Sequence, residues 1–217
     1  MLAIMTRYQS GLISLKSTKA AFTLIEKFTF QFNALTQSRG GGGVSNMYAK
    51  LAQNTMRCAA AQDFAKIVSE MQEKFGERIP DEAEFVVAFS RITFRYSYTR
   101  DRNLVRYVLM KIAKHYGMPE ELDVTMMTIE HILAQSGGKE TGDGSDVGAI
   151  GNLIFVNEKL NGTLDDKQFK DKKKFYSALN NVYVDEELQK ANEWTPSEIA
   201  KRGSHLAKIG YHNIWNI

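Results

Sequence analysis

Two short β-forming runs in an otherwise helical chain most constrain how this sequence can fold. Residues 124–129, Val-Thr-Met-Met-Thr-Ile, are rich in β-branched and other strand-forming side chains, and predict one strand. Residues 151–156, Gly-Asn-Leu-Ile-Phe-Val, predict a second strand. A polar, glycine-rich loop over 137–148 lies between them. The sequence therefore predicts a mostly helical α+β protein with one small sheet.

The part before these strands has the apolar spacing of amphipathic helices, in which every third or fourth side chain is buried. Thr18 or Ser17 is a candidate cap for the first helix, and Asp81 with Glu84 forms a capping-box pattern at the start of the third. The predicted helices are 18–39, 45–75, 80–96 and 104–116. The four glycines 40–43 are predicted to be a loop, since the Gly-Lys-Ser/Thr of a phosphate-binding loop does not follow them. Residues 1–119 are thus predicted to form a helical scaffold.

Helical signals return after the second strand. Asn157 is a candidate cap for a short helix that carries Asn161, and further helices are predicted over 166–179 and 185–191. Thr195 and Pro196 begin the last predicted helix, which extends to Ile209. Residues 120–217 are therefore predicted to form a second region, with the sheet at its start and helices after it.

Composition sets the broad class of protein. The 28 Lys and Arg against 25 Asp and Glu give a net charge of +3, so the distribution of charge matters more than its total. The single cysteine, Cys58, cannot form an internal disulfide, which suits a reducing compartment. We find neither an apolar run of about 18 residues nor a secretory signal pattern, and expect a cytoplasmic protein.

The end of the first strand and the segment after it carry the candidate chemistry. His131 can accept a proton near neutral pH, because the pKa of an ordinary imidazole is about 6.5. Glu130 is expected on the opposite face of the strand, where it can reach a metal held against the following helix. Asn161 offers an amide oxygen as a second ligand, and these oxygen donors favour Mg²⁺ or Mn²⁺ over Zn²⁺. Asn152 could hold either the imidazole or the loop.

These residues resemble the HNH, or ββα-metal, nucleases. The pattern of that class is an acidic residue and a histidine at the end of the first strand, Asn-Leu at the second, and a histidine nine residues after the Asn. The resemblance is closer to one branch, the nuclease domain at the C-terminus of GmrSD-like modification-dependent restriction enzymes and related phage-defence proteins. The matching positions are 129–135, 151–153, Asn161, Phe169, Lys172, Lys173, Tyr176, Trp194, Ile199 and Arg202. Asn161 stands where typical members have a histidine, and Ala134 where the branch commonly has proline.

The resemblance implies a nuclease that cuts or nicks DNA with one divalent cation, Mg²⁺ or Mn²⁺, as the effector part of a restriction or anti-phage defence system. It implies His131 as the general base, Asn152 as the residue that orients the base, and Glu130 and Asn161 as metal ligands. It also implies a partner, an N-terminal nucleotide-hydrolysing sensor domain or subunit that lies outside this sequence.

Basic side chains near the site are candidates for DNA contact. They are Lys170, Lys172, Lys173 and Arg202. A solvated helix face is the competing interpretation for the lysines, because Asp165, Asp166 and Asp171 lie among them. The competing function for the chain is a non-catalytic DNA-binding or protein-interaction domain whose metal site has decayed.

Overall fold

The computed structural model describes residues 1–36, 42–95, 100–134, 145–178 and 183–217. It confirms the predicted mostly helical α+β fold. By its internal contacts the chain divides into one unit of residues 1–85 with 215–217, and a second unit of residues 86–214. The predicted division at 119/120 into a scaffold and a functional region stays a prediction.

The first unit is helical. Its helices are α1 (Leu2–Gln9), α2 (Leu15–Thr29), α3 (Val44–Arg57) and α4 (Ala61–Gly76), and α5 (Glu82–Ser90) begins in it. The predicted 45–75 helix is wrong as one element, because it breaks between Arg57 and Ala61 and Asp63 accepts hydrogen bonds from the two backbone amides before α4. The cap of α2 is Ser14 rather than Thr18 or Ser17. Phe28 stacks on Phe75 at 4.2 Å between ring centroids, in the centre of this core.

Two predictions at the edges of this unit have different outcomes. Residues 40 and 41 of the glycine run 40–43 lie outside the described residues, which resume at 42. Asp81 does accept a hydrogen bond from the backbone amide of Glu84 at 2.8 Å, as the capping pattern predicts. The helix that follows ends at Ser90, not near residue 96, and the chain then becomes extended.

The second unit contains the sheet. In chain order it comprises α6 (Arg102–His115), β1 (Met127–His131), β2 (Leu153–Asn157), α7 (Glu158–Leu164), α8 (Phe169–Ala178), α9 (Glu186–Lys190) and α10 (Pro196–Ile209). The strands pair antiparallel, with Glu130 opposite Ile154 and His131 opposite Leu153. Both predicted strands are confirmed, each beginning two or three residues later than expected. Asn157 caps α7 and Thr195 caps α10, as predicted.

The extended segment after α5 adjoins the sheet. Thr93 forms an isolated bridge with Ala149, and the Phe94 amide donates to the Gly148 carbonyl at 2.8 Å. The Ile150 amide donates to the Ile92 carbonyl at 3.1 Å. Residues 92–94, Ile-Thr-Phe, are a strand-forming sequence, and their hydrogen-bond partners outweigh the helical pattern that precedes them.

Among the described residues, no helix has the length and apolarity needed to cross a membrane.

The backbone of α10 lies directly against the turn before β2. A Cβ atom on Gly151 would lie 2.1 Å from the Ile199 carbonyl oxygen and 2.9 Å from the Gly203 nitrogen. These are backbone atoms, so a rotamer change cannot relieve the clash. Only glycine fits at this position without moving α10 or the turn.

We expect Gly151→Ala to lower the free energy of unfolding by about 3 kcal/mol or more, because it forces a backbone shift in the core. Gly162→Ala is the matched control, since its Cβ would meet nothing within 4 Å and alanine favours a helix. Urea denaturation of both variants measures the difference. Equal stability of the two variants would contradict the close packing of α10 on Gly151.

Candidate active site

A pocket of about 290 Å³ lies where the end of β1 faces the end of α7. Its lining is Glu130, His131, Ala134, Asn161, Gly162, Asp165 and Asp166. Glu130 and His131 are 4% and 3% exposed, whereas the last three lining residues are exposed and open the pocket to solvent. The residues that sequence placed at one site, Glu130, His131 and Asn161, therefore border one pocket.

The imidazole of His131 is fixed by a backbone carbonyl. Its Nε2 lies 3.0 Å from the carbonyl oxygen of Phe94, and the two rings stack at 5.8 Å. A carbonyl oxygen can only accept, so Nε2 carries the hydrogen and, in the neutral ring, Nδ1 carries the lone pair. Burial lowers the pKa of His131 to about 4, although the Phe94 hydrogen bond opposes this. The ring is therefore neutral at pH 7 and can accept a proton at Nδ1.

Glu130 is paired with a buried lysine. The Nζ of Lys172 lies 2.6 Å from Oε1 of Glu130 and 2.7 Å from the backbone carbonyl oxygen of His131. Lys172 is 0% exposed, so this ion pair is removed from water. Burial raises the pKa of the Glu130 carboxyl above its ordinary value, while the lysine ammonium acts in the opposite direction.

Asn152 holds the chain on either side of the loop between the strands. Its Oδ1 accepts from the Leu133 amide at 2.8 Å and from Nε1 of Trp194 at 2.9 Å. Its Nδ2 donates to the carbonyls of Leu133 at 3.0 Å and Val147 at 2.8 Å. An amide side chain has two donor hydrogens and two acceptor lone pairs, so all four positions are used and none remains for the imidazole. Of its two predicted roles, these contacts correspond to holding the loop.

The chain was compared with known proteins. The family model of the C-terminal domain of GmrSD restriction endonucleases matches residues 79–209, more than half of the chain. The chain belongs to this family. No curated protein matches it. The matched residues include the whole pocket and its supporting helices α6 to α10.

Two of the predicted DNA contacts in this GmrSD-type domain are wrong. Lys172 and Arg202 are 0% and 2% exposed, and a buried cation cannot reach a phosphate. Arg202 instead donates to Asp185 at 2.7 Å and to the carbonyls of Gly151 and Leu153 at 2.7 and 2.9 Å. Burial acts to raise the pKa of Asp185, but Arg202 together with backbone hydrogen bonds, including that of Leu188, keeps this pKa below its ordinary value.

The other two basic candidates differ from each other. The ammonium of Lys173 donates to the Ala191 carbonyl at 2.5 Å, so it is partly committed to the fold. Lys170 is exposed, and its contact with DNA stays a prediction.

The donor atoms of the pocket lining are of the kind that a hard divalent cation binds. It offers carboxylates from Glu130, Asp165 and Asp166 and an amide oxygen from Asn161, which are the donors that Mg²⁺ and Mn²⁺ prefer. Within the described ranges, no three His, Cys, Asp or Glu side chains are arranged as a ready metal cluster.

Sequence reasoning missed the Phe94 carbonyl and the two aspartates of the pocket, and it assigned Lys172 to DNA rather than to Glu130 and His131. The Phe94 carbonyl lies in a segment predicted to be helical, although Ile92-Thr93-Phe94 carries a strand signal. Lys172 lies three residues after Phe169 and four before Tyr176, and this spacing puts it on the buried face of α8. Asp165 and Asp166 were considered only as charges among the lysines, in the competing interpretation of a solvated helix face, and the structure places them beside the pocket.

The pKa of His131 predicts a pH-dependent stability. Its folded pKa of about 4 lies below the unfolded value of about 6.5, so the unfolded chain binds a proton more readily. The stability that this neutral, buried ring contributes is present above pH 6.5 and is lost as the pH falls towards 4. We expect the wild-type chain to lose on the order of 2–3 kcal/mol more than His131→Gln between pH 7 and pH 4.5. Urea denaturation at both pH values measures this, and parallel losses would contradict the depressed pKa.

Proposed function

We propose that this domain is a metal-dependent DNA endonuclease of the HNH type that hydrolyses phosphodiester bonds. The observation that carries the proposal is the pocket that gathers Glu130, His131 and Asn161 around one space, with the imidazole held in a defined tautomer. The membership in a restriction endonuclease family supports a nuclease and DNA as its substrate. In this role the chain serves restriction or anti-phage defence, and an N-terminal sensor domain or subunit is its proposed partner.

His131 is the proposed general base. A water molecule in the pocket gives its proton to Nδ1 while its oxygen attacks the phosphorus; the bond from phosphorus to one sugar oxygen breaks, and that leaving oxygen takes a proton from solvent water. The Nε2–H···O=C bond to Phe94 keeps the ring in place, and it becomes charge-assisted when the imidazolium forms. A low pKa makes the ring a weak base but keeps it unprotonated at all physiological pH values.

Glu130 and Asn161 are the proposed metal ligands, and Asp165 and Asp166 add carboxylates to the lining of the same pocket. When bound, Mg²⁺ or Mn²⁺ supplies neutralisation of the negative charge that builds on the phosphate oxygens. Asn152 acts on the base through the backbone. Its backbone carbonyl oxygen accepts a hydrogen bond at 2.9 Å from the amide of Ile132, the residue directly after His131.

A plasmid-nicking assay tests the proposal. We expect wild-type protein to nick supercoiled DNA with Mn²⁺ and to be inactive in EDTA. His131→Ala should lower the rate by about 10²–10⁴-fold, as the loss of a general base does. His205→Ala, which removes a partly buried histidine of α10, is the control and should keep the wild-type rate. Wild-type protein that binds DNA but never nicks it would favour the non-catalytic alternative, and activity that survives His131→Ala would overturn the assignment of the base.

Lys170 is an exposed basic residue of α8, and we propose that it contacts a phosphate. A phosphate contact contributes a slope of about −0.9 to the plot of log binding constant against log salt concentration. Lys170→Gln should therefore make this slope less negative by about 1 in fluorescence anisotropy with labelled duplex. Lys19→Gln makes the same charge change at an exposed position of α2. It is the control and should leave the slope unchanged. Identical slopes for the two variants would remove Lys170 from the DNA surface.

A further inference from the structure

Lys172 contacts two consecutive residues of the site at once. Its ammonium donates to Oε1 of Glu130 at 2.6 Å and to the backbone oxygen of His131 at 2.7 Å. The side chain is fully buried and does not line the pocket, so it touches neither solvent nor substrate. It therefore approaches the proposed metal ligand and the proposed base from behind.

This geometry restricts what Glu130 can do. A carboxylate has two oxygens, and a short charge-assisted hydrogen bond holds Oε1 on the lysine. Binding a cation through both oxygens would require breaking that bond inside the protein. The second bond of the ammonium fixes the peptide of His131, so the position of the carboxylate and the position of the imidazole are set by one group.

We propose that Lys172 is a positioning residue of the active site: it holds Glu130 through one oxygen, so that only Oε2 is presented to the cation, and it fixes the end of β1 from which His131 projects. This inference rests on the proposed function, because it assigns Lys172 a role towards the proposed metal ligand. It replaces the phosphate contact predicted for Lys172 from the sequence.

A second buried ion pair in the same unit shows what a structural role alone would look like. Arg202 and Asp185 are as buried as Lys172 and Glu130, but the cation there contacts the carbonyls of Gly151 and Leu153 rather than a residue of the pocket lining. Arg106 is a further comparison. It donates to the carbonyls of Met127 and Val124, at the start of β1, and leaves the other end of the strand untouched.

The test measures Mn²⁺ binding without DNA, by the loss of the electron paramagnetic resonance signal of free Mn²⁺. We expect Lys172→Met to weaken Mn²⁺ binding by about 10–100-fold, the usual cost of removing a group that orients a metal ligand. It should lower kcat for nicking, while the affinity for DNA measured in EDTA, without metal, and its salt dependence stay at wild-type values. Arg106→Met should lower the melting temperature without changing Mn²⁺ affinity. Lys174→Met, on the exposed face of α8, the helix that carries Lys172, should change neither quantity.

Removing one member of a buried ion pair leaves the other charge uncompensated, so Lys172→Met is also expected to unfold at a lower temperature. If that variant does not fold, the double variant Glu130→Gln/Lys172→Met decides, since it removes both charges. Recovery of folding in the double variant supports the direct partnership of these two side chains. Failure of the double variant to recover overturns it.

The remaining outcomes separate this inference from the proposed function. Wild-type protein that nicks DNA with Mn²⁺, together with a folded Lys172→Met that binds Mn²⁺ equally well, overturns the positioning role alone. A Lys172→Met that binds Mn²⁺ normally but loses affinity for DNA returns the lysine to phosphate contact. Wild-type protein that neither binds Mn²⁺ nor nicks DNA overturns both proposals.

Discussion

The close approach of α10 to the turn before β2 is the constraint on which the site depends. Gly151 admits the backbone of α10, and this lets Arg202 reach the carbonyls of Gly151 and Leu153. Those bonds set where β2 begins, and β2 fixes β1 through the pairing of Leu153 with His131. Three steps therefore connect the missing Cβ atom of Gly151 to the position of the proposed base: the close backbone approach of α10, the hydrogen bonds of the Arg202 side chain, and the pairing of β2 with β1.

Buried polar groups add to the apolar packing of this region, and burying them has an energetic cost. Lys172, Glu130, Arg202 and Asp185 are all nearly or fully buried, and a buried ion pair often contributes no more stability than well-packed apolar residues would. These ion pairs fix the geometry of the hairpin, because each cation also donates hydrogen bonds to backbone carbonyls at the strand ends. Asn152 follows the same logic with a neutral amide whose four hydrogen-bonding positions are all satisfied. Breaking any one partner would leave a buried polar group unpaired, so the network holds as a unit.

The sequence predicts the elements of this fold better than their junctions. Strand-forming runs, the Asn157 and Thr195 caps and the Glu130-His131 pair carry local signals, and the structure has each where the signal lies. The burial of Lys172 and Arg202 was readable from their spacing, because Ile199, Arg202 and Leu206 share one helix face with three- and four-residue intervals. A basic residue in a nuclease-like motif was nevertheless interpreted as a phosphate contact. The bond from His131 to Phe94 could not be predicted, because it joins residues 37 positions apart and depends on a tertiary bridge.

The charges around the pocket give a physical reason for the cation in the proposed reaction. Asp165 and Asp166 are exposed at its mouth and Glu130 lies inside, so an incoming phosphate meets carboxylates on several sides. Lys172 offsets the charge of Glu130 but, being buried behind it, offers the phosphate no hydrogen bond. Like charges a few ångströms apart in a partly desolvated pocket repel strongly, and the net charge of +3 for the whole chain is too small to compensate. In the proposed reaction, a divalent ion between these carboxylates and the phosphate would convert that repulsion into attraction, and substrate binding in the pocket, as well as the chemical step, would then depend on the metal.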